Sequence, residues 1–406
     1  MKRLYYPYVL EHLEDHDQMI FLMGPRQVGK TTLAKDLLSE WGRGDYLSWD
    51  NPKHRRLILE GPDQVAEELG VHEYGDQPPL VVFDEIQKYS DWKNYLKGFY
   101  DTYKGDVKIV VTGSSKLDVF IKGGDSLMGR YFVFRIHPFT VAEVMGNHLM
   151  MEKKEFNASP KLPQKKKLQN LLNFGGFPDP FIKGDRPFYN RWNRMRSKQV
   201  FQEDIRDFKH LQEVTGVETL AMILQDQVGQ LVAYSTLSKK IGMATDKTIK
   251  EWIEILKSLY FFFEVRPYHR NVTKSLIKQP KLYLWDWSLC TSDGALAENF
   301  VASHLFKAVH FWNDLGIGDY SLHFIRDRSK REVDFLITKE KEPWILVEVK
   351  NGESKSLSPS LLHYHEELQT RYAFQVSLTK DGIQKSPLLS RKPTILPAVN
   401  LLSELF

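Results

Sequence analysis

The 406-residue sequence predicts an α/β fold whose first 150 residues build a parallel sheet. Three observations carry that expectation. Short apolar runs alternate with helix-length segments. A glycine-bearing loop, Gly24–Thr31, joins the first apolar run to a helical pattern. Strand-like runs then return after residue 280, past a long helical stretch.

The strands expected in the first region are Met19–Met23, Tyr46–Trp49, Leu80–Phe83, Val107–Thr112 and Tyr131–Ile136. Residues 151–168 carry Lys153, Lys154, Lys161, Lys165, Lys166 and Lys167, broken by Pro160 and Pro163. Such a run reads as an exposed linker, with a nucleic-acid contact as the rival reading. Residues 169–265 read as mostly helical. Within them Ser235–Leu256 predicts a short helix, a turn at Gly242–Asp246 and a longer helix, with Ile249, Ile253, Leu256 and Tyr260 on one face. That is a helix-turn-helix pattern. Further strands are expected at Lys281–Trp285, Leu322–Arg326, Val333–Ile337, Trp344–Lys350 and Tyr372–Val376.

Composition narrows the class. Apolar residues make up 42% and charged residues 27%, as in a soluble globular protein. The net charge of +4 is small, so local patches must decide any nucleic-acid partner. Cys290 is the only cysteine, which leaves no intramolecular disulfide or cysteine-based zinc site and fits a reducing cytoplasm. No apolar run is long enough to span a bilayer, so a cytoplasmic protein without membrane contact is expected.

The loop carries the clearest chemistry. Gly24, Pro25, Arg26, Gln27, Val28, Gly29, Lys30 and Thr31, with Thr32 after them, spell a Walker A loop between a strand and a helix. Gly24 and Gly29 let the backbone wrap phosphates, Lys30 supplies charge to the β- and γ-phosphates, and Thr31 offers a hydroxyl to Mg2+. The helix start adds its positive dipole. Leu80–Glu85 is an apolar strand ending in two acids, a Walker B pattern. Asp84 would hold Mg2+ through its water shell, and Glu85 would polarise the attacking water. ATP and Mg2+ are thus the expected cofactors. Thr112 and Ser114 end the next strand and are sensor candidates, against the plainer reading of a turn. Arg130 is open to two readings, an arginine finger acting on a neighbouring subunit or a structural salt bridge. Arg26 adds a second cation at the loop.

These segments together resemble a large group of bacterial and archaeal AAA-type ATPases whose carboxy-terminal domain has long been labelled as of unknown function. The matching stretches are 24–32, Phe83–Gln87, Thr112–Ser115, Ser126–Arg130, Pro138–Glu143, Gly175–Pro178, Lys281–Asp286, Glu298–Val301, Glu332–Phe335 and Val347–Lys350. The departures are the bulky Met128, Trp285 and Trp287, none of them in the nucleotide motifs. The resemblance implies an AAA+ (ASCE) P-loop core over residues 1–150. It further implies a helical lid and linker over 151–220, a winged-helix-like segment over 221–279, and a restriction-endonuclease-like domain over 280–406.

In that last fold the acids matching Asp334 and Glu348 bind Mg2+, with Glu298 and Lys350 alongside. Glu348 and Lys350 share a strand face here, because strand side chains repeat every two residues. Gln375, on the following strand, could face the same site. Lys239, Lys240, Lys247 and Lys250 offer phosphate contacts on the helix-turn-helix, and Arg270, Lys274 and Lys278 suit a wing. The aromatics Tyr260–Phe263 read as core. Three functions fit this pattern: a DNA-acting motor or remodeller on branched or duplex DNA, an ATP-dependent nuclease, or a regulatory ATPase with a protein-binding carboxy-terminal module. A homo-oligomer, such as a ring, is expected if Arg130 acts in trans.

Overall fold

Uncharged apolar runs can only be satisfied by burial on both faces, and they become the inner strands of a sheet. In the computed structural model, β1 (Met19–Met23), β3 (Leu80–Asp84) and β4 (Lys108–Thr112) are buried along their whole length. With β2 (Gly44–Ser48) and β5 (Tyr131–Arg135) they form a five-stranded sheet of order β2-β3-β4-β1-β5, parallel throughout. The strand β4 lies between β1 and β3, which sets its end beside the ends of both. The structure describes residues 1–71, 77–113, 127–146, 165–205, 214–242, 244–269, 279–352, 354–378 and 392–406.

The chain divides into two compact units, Met1–His137 and Pro138–Phe406. In the first, the helix Trp92–Tyr103 sets Trp92, Leu96 and Phe99 against Phe21 and Phe83 of the sheet. Full burial of side chains of this size stabilises by about 1.5–3 kcal/mol each.

The second unit begins at Pro138 rather than after residue 150, and its contacts explain why. The segment that follows Pro138 is bound to the long helix Asp293–Asp314. The Lys307 ammonium donates to the Pro138 carbonyl at 3.1 Å and to the Glu143 carboxylate, both side chains being fully buried. Breaking a buried pair of this kind costs about 3–5 kcal/mol. Val141 donates its N–H to His304 Nε2 at 3.0 Å, and His304 Nδ1 faces the Phe300 carbonyl at 2.7 Å. Burial pushes the His304 pKa down to about 3, so the ring stays neutral with its proton on Nδ1.

Among the described residues this unit has seven strands: β6 (Phe262–Pro267), β7 (Lys281–Leu284), β8 (Tyr320–Arg326), β9 (Glu332–Lys339), β10 (Glu342–Lys350), β11 (Tyr372–Ser377) and β12 (Thr394–Pro397). Their order is β12-β11-β10-β9-β8-β6-β7. Strand β6 pairs antiparallel with β7 and parallel with β8, so a boundary at 279/280 falls inside one sheet. Sequence periodicity places Phe262–Val265 within the helical stretch. From Phe263 on, burial along β6 alternates as a strand's does, just beyond Tyr260, whose left-handed φ of 55° turns the chain out of the preceding helix. The pair Tyr234–Ile241 and Asp246–Ser258 matches the expected two helices, with Ile249, Ile253, Leu256 and Tyr260 buried. Among the described residues no helix is long and apolar enough to cross a membrane.

Candidate active site

The loop that leaves β1 is shaped by what surrounds it. Ile136 donates its N–H to the Met23 carbonyl at 2.7 Å, so the chain after β5 lies against the exit of β1. At Gly24, φ is 144°, and a Cβ there would sit 2.2 Å from the Ile136 carbonyl oxygen. No side chain fits. Gln27 and Gly29 have left-handed φ values of 60° and 99°, and the helix Lys30–Trp41 starts directly after. A non-glycine residue in that region costs of order 1 kcal/mol, so the surrounding contacts must hold Gln27 in place.

Lys30 is 7% exposed, and its ammonium donates to the Gly24 carbonyl at 2.9 Å and the Pro25 carbonyl at 2.7 Å. Burial pulls its pKa down to about 8 against the opposing pull of Glu85 and Asp84, and Arg26 lies near enough to lower it further. Thr31 is half-buried and Thr32 exposed in the first helical turn, while Val28 is fully buried. A loop with no room for Cβ, a buried ammonium and a helix amino terminus fit a polyphosphate.

Asp84 and Glu85 lie at the exit of β3, separated from β1 by β4. The β3–β4 register sets Asp84 opposite Thr112, and the Thr112 hydroxyl donates to Asp84 Oδ1. The Tyr46 hydroxyl donates to Asp84 Oδ2. Burial, then the contact with Asp84, raises the Tyr46 pKa. Nothing in the sequence singles out Tyr46; only strand pairing brings it to Asp84.

Glu85 has a left-handed φ of 57°, and its N–H donates to the Thr112 carbonyl at 3.0 Å. Its Oε2 accepts from Gln87 Nε2 at 3.1 Å and lies 3.6 Å from the Lys88 ammonium, which also pairs with Asp50 at 2.7 Å. Ser114 lies outside the described residues, as do Lys153, Lys154, Lys161, Arg270, Lys274 and Lys278.

Arg130 is held by Asp101 through Nε at 2.7 Å and Nη2 at 2.9 Å. Its carbonyl accepts from the Met19 N–H at 2.8 Å. It therefore sits at the end of β1 opposite the loop, away from the nucleotide motifs of its own chain.

Residues 16–145 match the family described as AAA domain. The amino-terminal segment is an AAA-type ATPase domain. Residues 165–297 and 293–390 of this ATPase match two families described as domains of unknown function, DUF8612 and DUF4143. An uncharacterized protein of Methanocaldococcus jannaschii is 24% identical over 336 residues, covering 80% of this chain and 73% of that protein. One of Mycobacterium tuberculosis is 19% identical over 392 residues, covering 95% and 81%. A solved structure of a Walker-type ATPase of Pyrococcus abyssi covers 72% of this chain and 94% of its own, at 17% identity and a TM-score of 0.43.

The second unit of the ATPase gathers its own charged cluster. Antiparallel pairing of β9 with β10 sets Phe335 opposite Val347, with Asp334 and Glu348 next along the two strands. Val349 donates its N–H to Asp334 Oδ2 at 2.8 Å, and Lys350 donates to Glu348 Oε1 at 2.6 Å. Glu348 Oε2 is buried with no hydrogen-bond partner among the described residues. Burial raises both acids, Asp334 well above its ordinary value with Glu298 and Glu348 adding to the rise, and Glu348 against the opposing pull of Lys350.

Glu298 Oε1 accepts from the Tyr283 hydroxyl at 2.7 Å and from Lys281 at 3.2 Å. Lys281 is 3% exposed and also pairs with Glu332 at 2.7 Å. Burial pulls its pKa down, but Glu298, Asp334 and Glu332 outweigh that and leave it raised. Lys281 and Tyr283 stand two apart on β7, so strand periodicity could have placed them on one face. Gln375 pairs in register with Glu348, yet its amide holds the Ser358 N–H at 2.6 Å and the Ser356 carbonyl at 2.9 Å. Among the described residues no three His, Cys, Asp or Glu side chains form a metal-holding group. Mg2+ at a phosphate-binding loop does not require one, since it is held by one or two protein oxygens, phosphates and water.

Proposed function

We propose that this ATPase acts on DNA, using nucleotide turnover at the loop 24–31 to drive a DNA-binding element in its second unit. Lys30 would neutralise the β- and γ-phosphates. Thr31, and Asp84 through water, would hold Mg2+, whose charge favours phosphoryl transfer when bound. Glu85 would take up and orient the attacking water's proton. Thr112 would keep Asp84 aimed, and Arg130 would need to release Asp101 before reaching a neighbouring copy.

One observation supports the DNA role most strongly. Lys239, Lys240, Lys247 and Lys250 are all exposed on the two-helix element Tyr234–Ser258. Thr245 caps the second helix by accepting from the Thr248 N–H at 3.2 Å, and the antiparallel β6–β7 pair follows it in the chain, as a wing would. Four cations on such an element suit phosphate contact. Titration of duplex and branched DNA over a salt series tests it. Log affinity is expected to fall linearly with log salt, and Lys250→Ala to reduce the slope by about 1. Affinity independent of salt would sink the reading.

Asp334, Glu348 and Lys350 favour a second reading, a Mg2+-dependent nuclease. Its support is the order helix Asp293–Asp314, β8, β9, β10, helix Pro359–Leu368, β11, with β10 parallel to β11 and antiparallel to β9. That order supports a restriction-endonuclease-like reading of this region. Asp334→Ala is expected to abolish any Mg2+-dependent cleavage of DNA by the purified chain. Cleavage unchanged by that substitution removes these acids from the chemistry.

A further inference from the structure

Arg3 is charged, 6% exposed and distant in sequence from every nucleotide motif. Its neighbours Leu4 and Tyr5 are buried at 1% and 0% exposure, which fixes the segment in the first unit. The Tyr5 ring meets Phe134 edge-on at 5.9 Å, and Tyr6 donates its N–H to the Arg3 carbonyl at 3.1 Å. From that anchor the guanidinium spans two backbone carbonyls. Nη1 donates to Val28 at 3.0 Å, and Nη2 donates to His137.

Both carbonyls matter to the loop. Val28 lies between Gln27 and Gly29, the two left-handed residues that give the loop its curl. His137 follows Ile136, whose carbonyl leaves Gly24 no room for a Cβ. In a trans peptide, the carbonyl of one residue and the N–H of the next point in opposite directions. With the Val28 carbonyl held on Arg3, the Gly29 N–H must point the other way, off the face that Arg3 occupies.

We infer that Arg3 is a positioning residue for the ATPase. By holding the Val28 and His137 carbonyls behind the loop, it aims the Gly29 N–H at the phosphates of bound nucleotide. A planar fork with several donors can bridge two carbonyls, whereas a lysine offers a single point charge. The inference rests on nucleotide binding at 24–31 and is independent of the DNA reading.

Equilibrium titration of the full-length chain with fluorescent ATP and ADP analogues tests it, scored per folded molecule by parallel circular dichroism. Arg3→Gln is expected to raise the Kd of both nucleotides at least tenfold. Arg3→Lys should show a smaller rise and keep the fold where Arg3→Gln does not. A Kd within twofold of the parent in folded Arg3→Lys and Arg3→Gln overturns the inference, as does a loss that disappears once only folded molecules are counted. If Arg3→Lys alone folds, a Kd within twofold of the parent overturns it equally. Lys30→Ala serves as the reference: unchanged affinity there would indict the loop assignment instead of Arg3.

Discussion

Lys30→Ala is expected to abolish measurable ATP turnover. Its ammonium is the cation buried within the loop, held by the Gly24 and Pro25 carbonyls at 2.9 and 2.7 Å. Alanine cannot replace a charge aimed at developing negative charge, and losing one such group lowers rate by about 10²–10³-fold or more. Steady-state phosphate release checks this. The pH dependence of binding gives an independent signature. In the free protein Lys30 has a pKa lowered to about 8, and a polyphosphate beside it favours the ammonium and raises that value. Affinity should therefore be flat below pH about 8 and weaken above it, by up to about tenfold per pH unit, because binding must then take up a proton. Nucleotide titrations on either side of that pH should show the fall in the parent chain and not in Lys30→Ala.

Glu85→Gln is expected to separate binding from hydrolysis. The amide keeps the size of the side chain and leaves the loop's own residues in place, while removing one of the two carboxylate charges that hold the Lys30 pKa up. It cannot accept a proton from water, which should reduce turnover by about 10²–10⁴-fold. Nucleotide affinity should stay close to that of the parent. Parallel phosphate-release and equilibrium-binding measurements decide the matter, and normal turnover would remove Glu85 as the base. Glu85 is already held in a left-handed conformation, with its carboxylate shared between Gln87 and Lys88, so the new amide can keep a hydrogen bond to Gln87.

Much of the ATPase site was legible because its chemistry is local in sequence. Gly24, Gly29 and Lys30 fall within seven residues, and Asp84 and Glu85 end one apolar run. Tyr46 and Arg3 were not legible. Tyr46 meets Asp84 across 38 positions, and Arg3 meets Val28 across 25 and His137 across 134. Such contacts depend on strand order and on where the amino-terminal segment packs, which residue spacing does not encode. In the second unit, strand periodicity set Glu348 and Lys350 on one face, and Asp334 followed from the family resemblance. The tie between Glu298 and Lys281 required β7 to lie beside the long helix.

Domain edges were harder for the same reason. Pro138–Glu143 continues directly from the first unit, yet Lys307 and His304 bind it into the second. Strand β6 follows a strongly periodic helix without a polar loop, so its pairing with β7 and β8 becomes visible only in three dimensions.

If nucleotide turnover drives a DNA-binding element, as proposed, nucleotide held at the loop 24–31 changes how tightly the chain holds DNA. The most direct measurement is the DNA affinity of the full-length Glu85→Gln protein at one fixed salt concentration, with and without saturating ATP and Mg2+. Coupled sites typically exchange about 1–3 kcal/mol, so affinity should change by roughly 5–150-fold between the two conditions. The same DNA affinity with and without bound ATP would mean that the nucleotide loop and DNA binding are uncoupled.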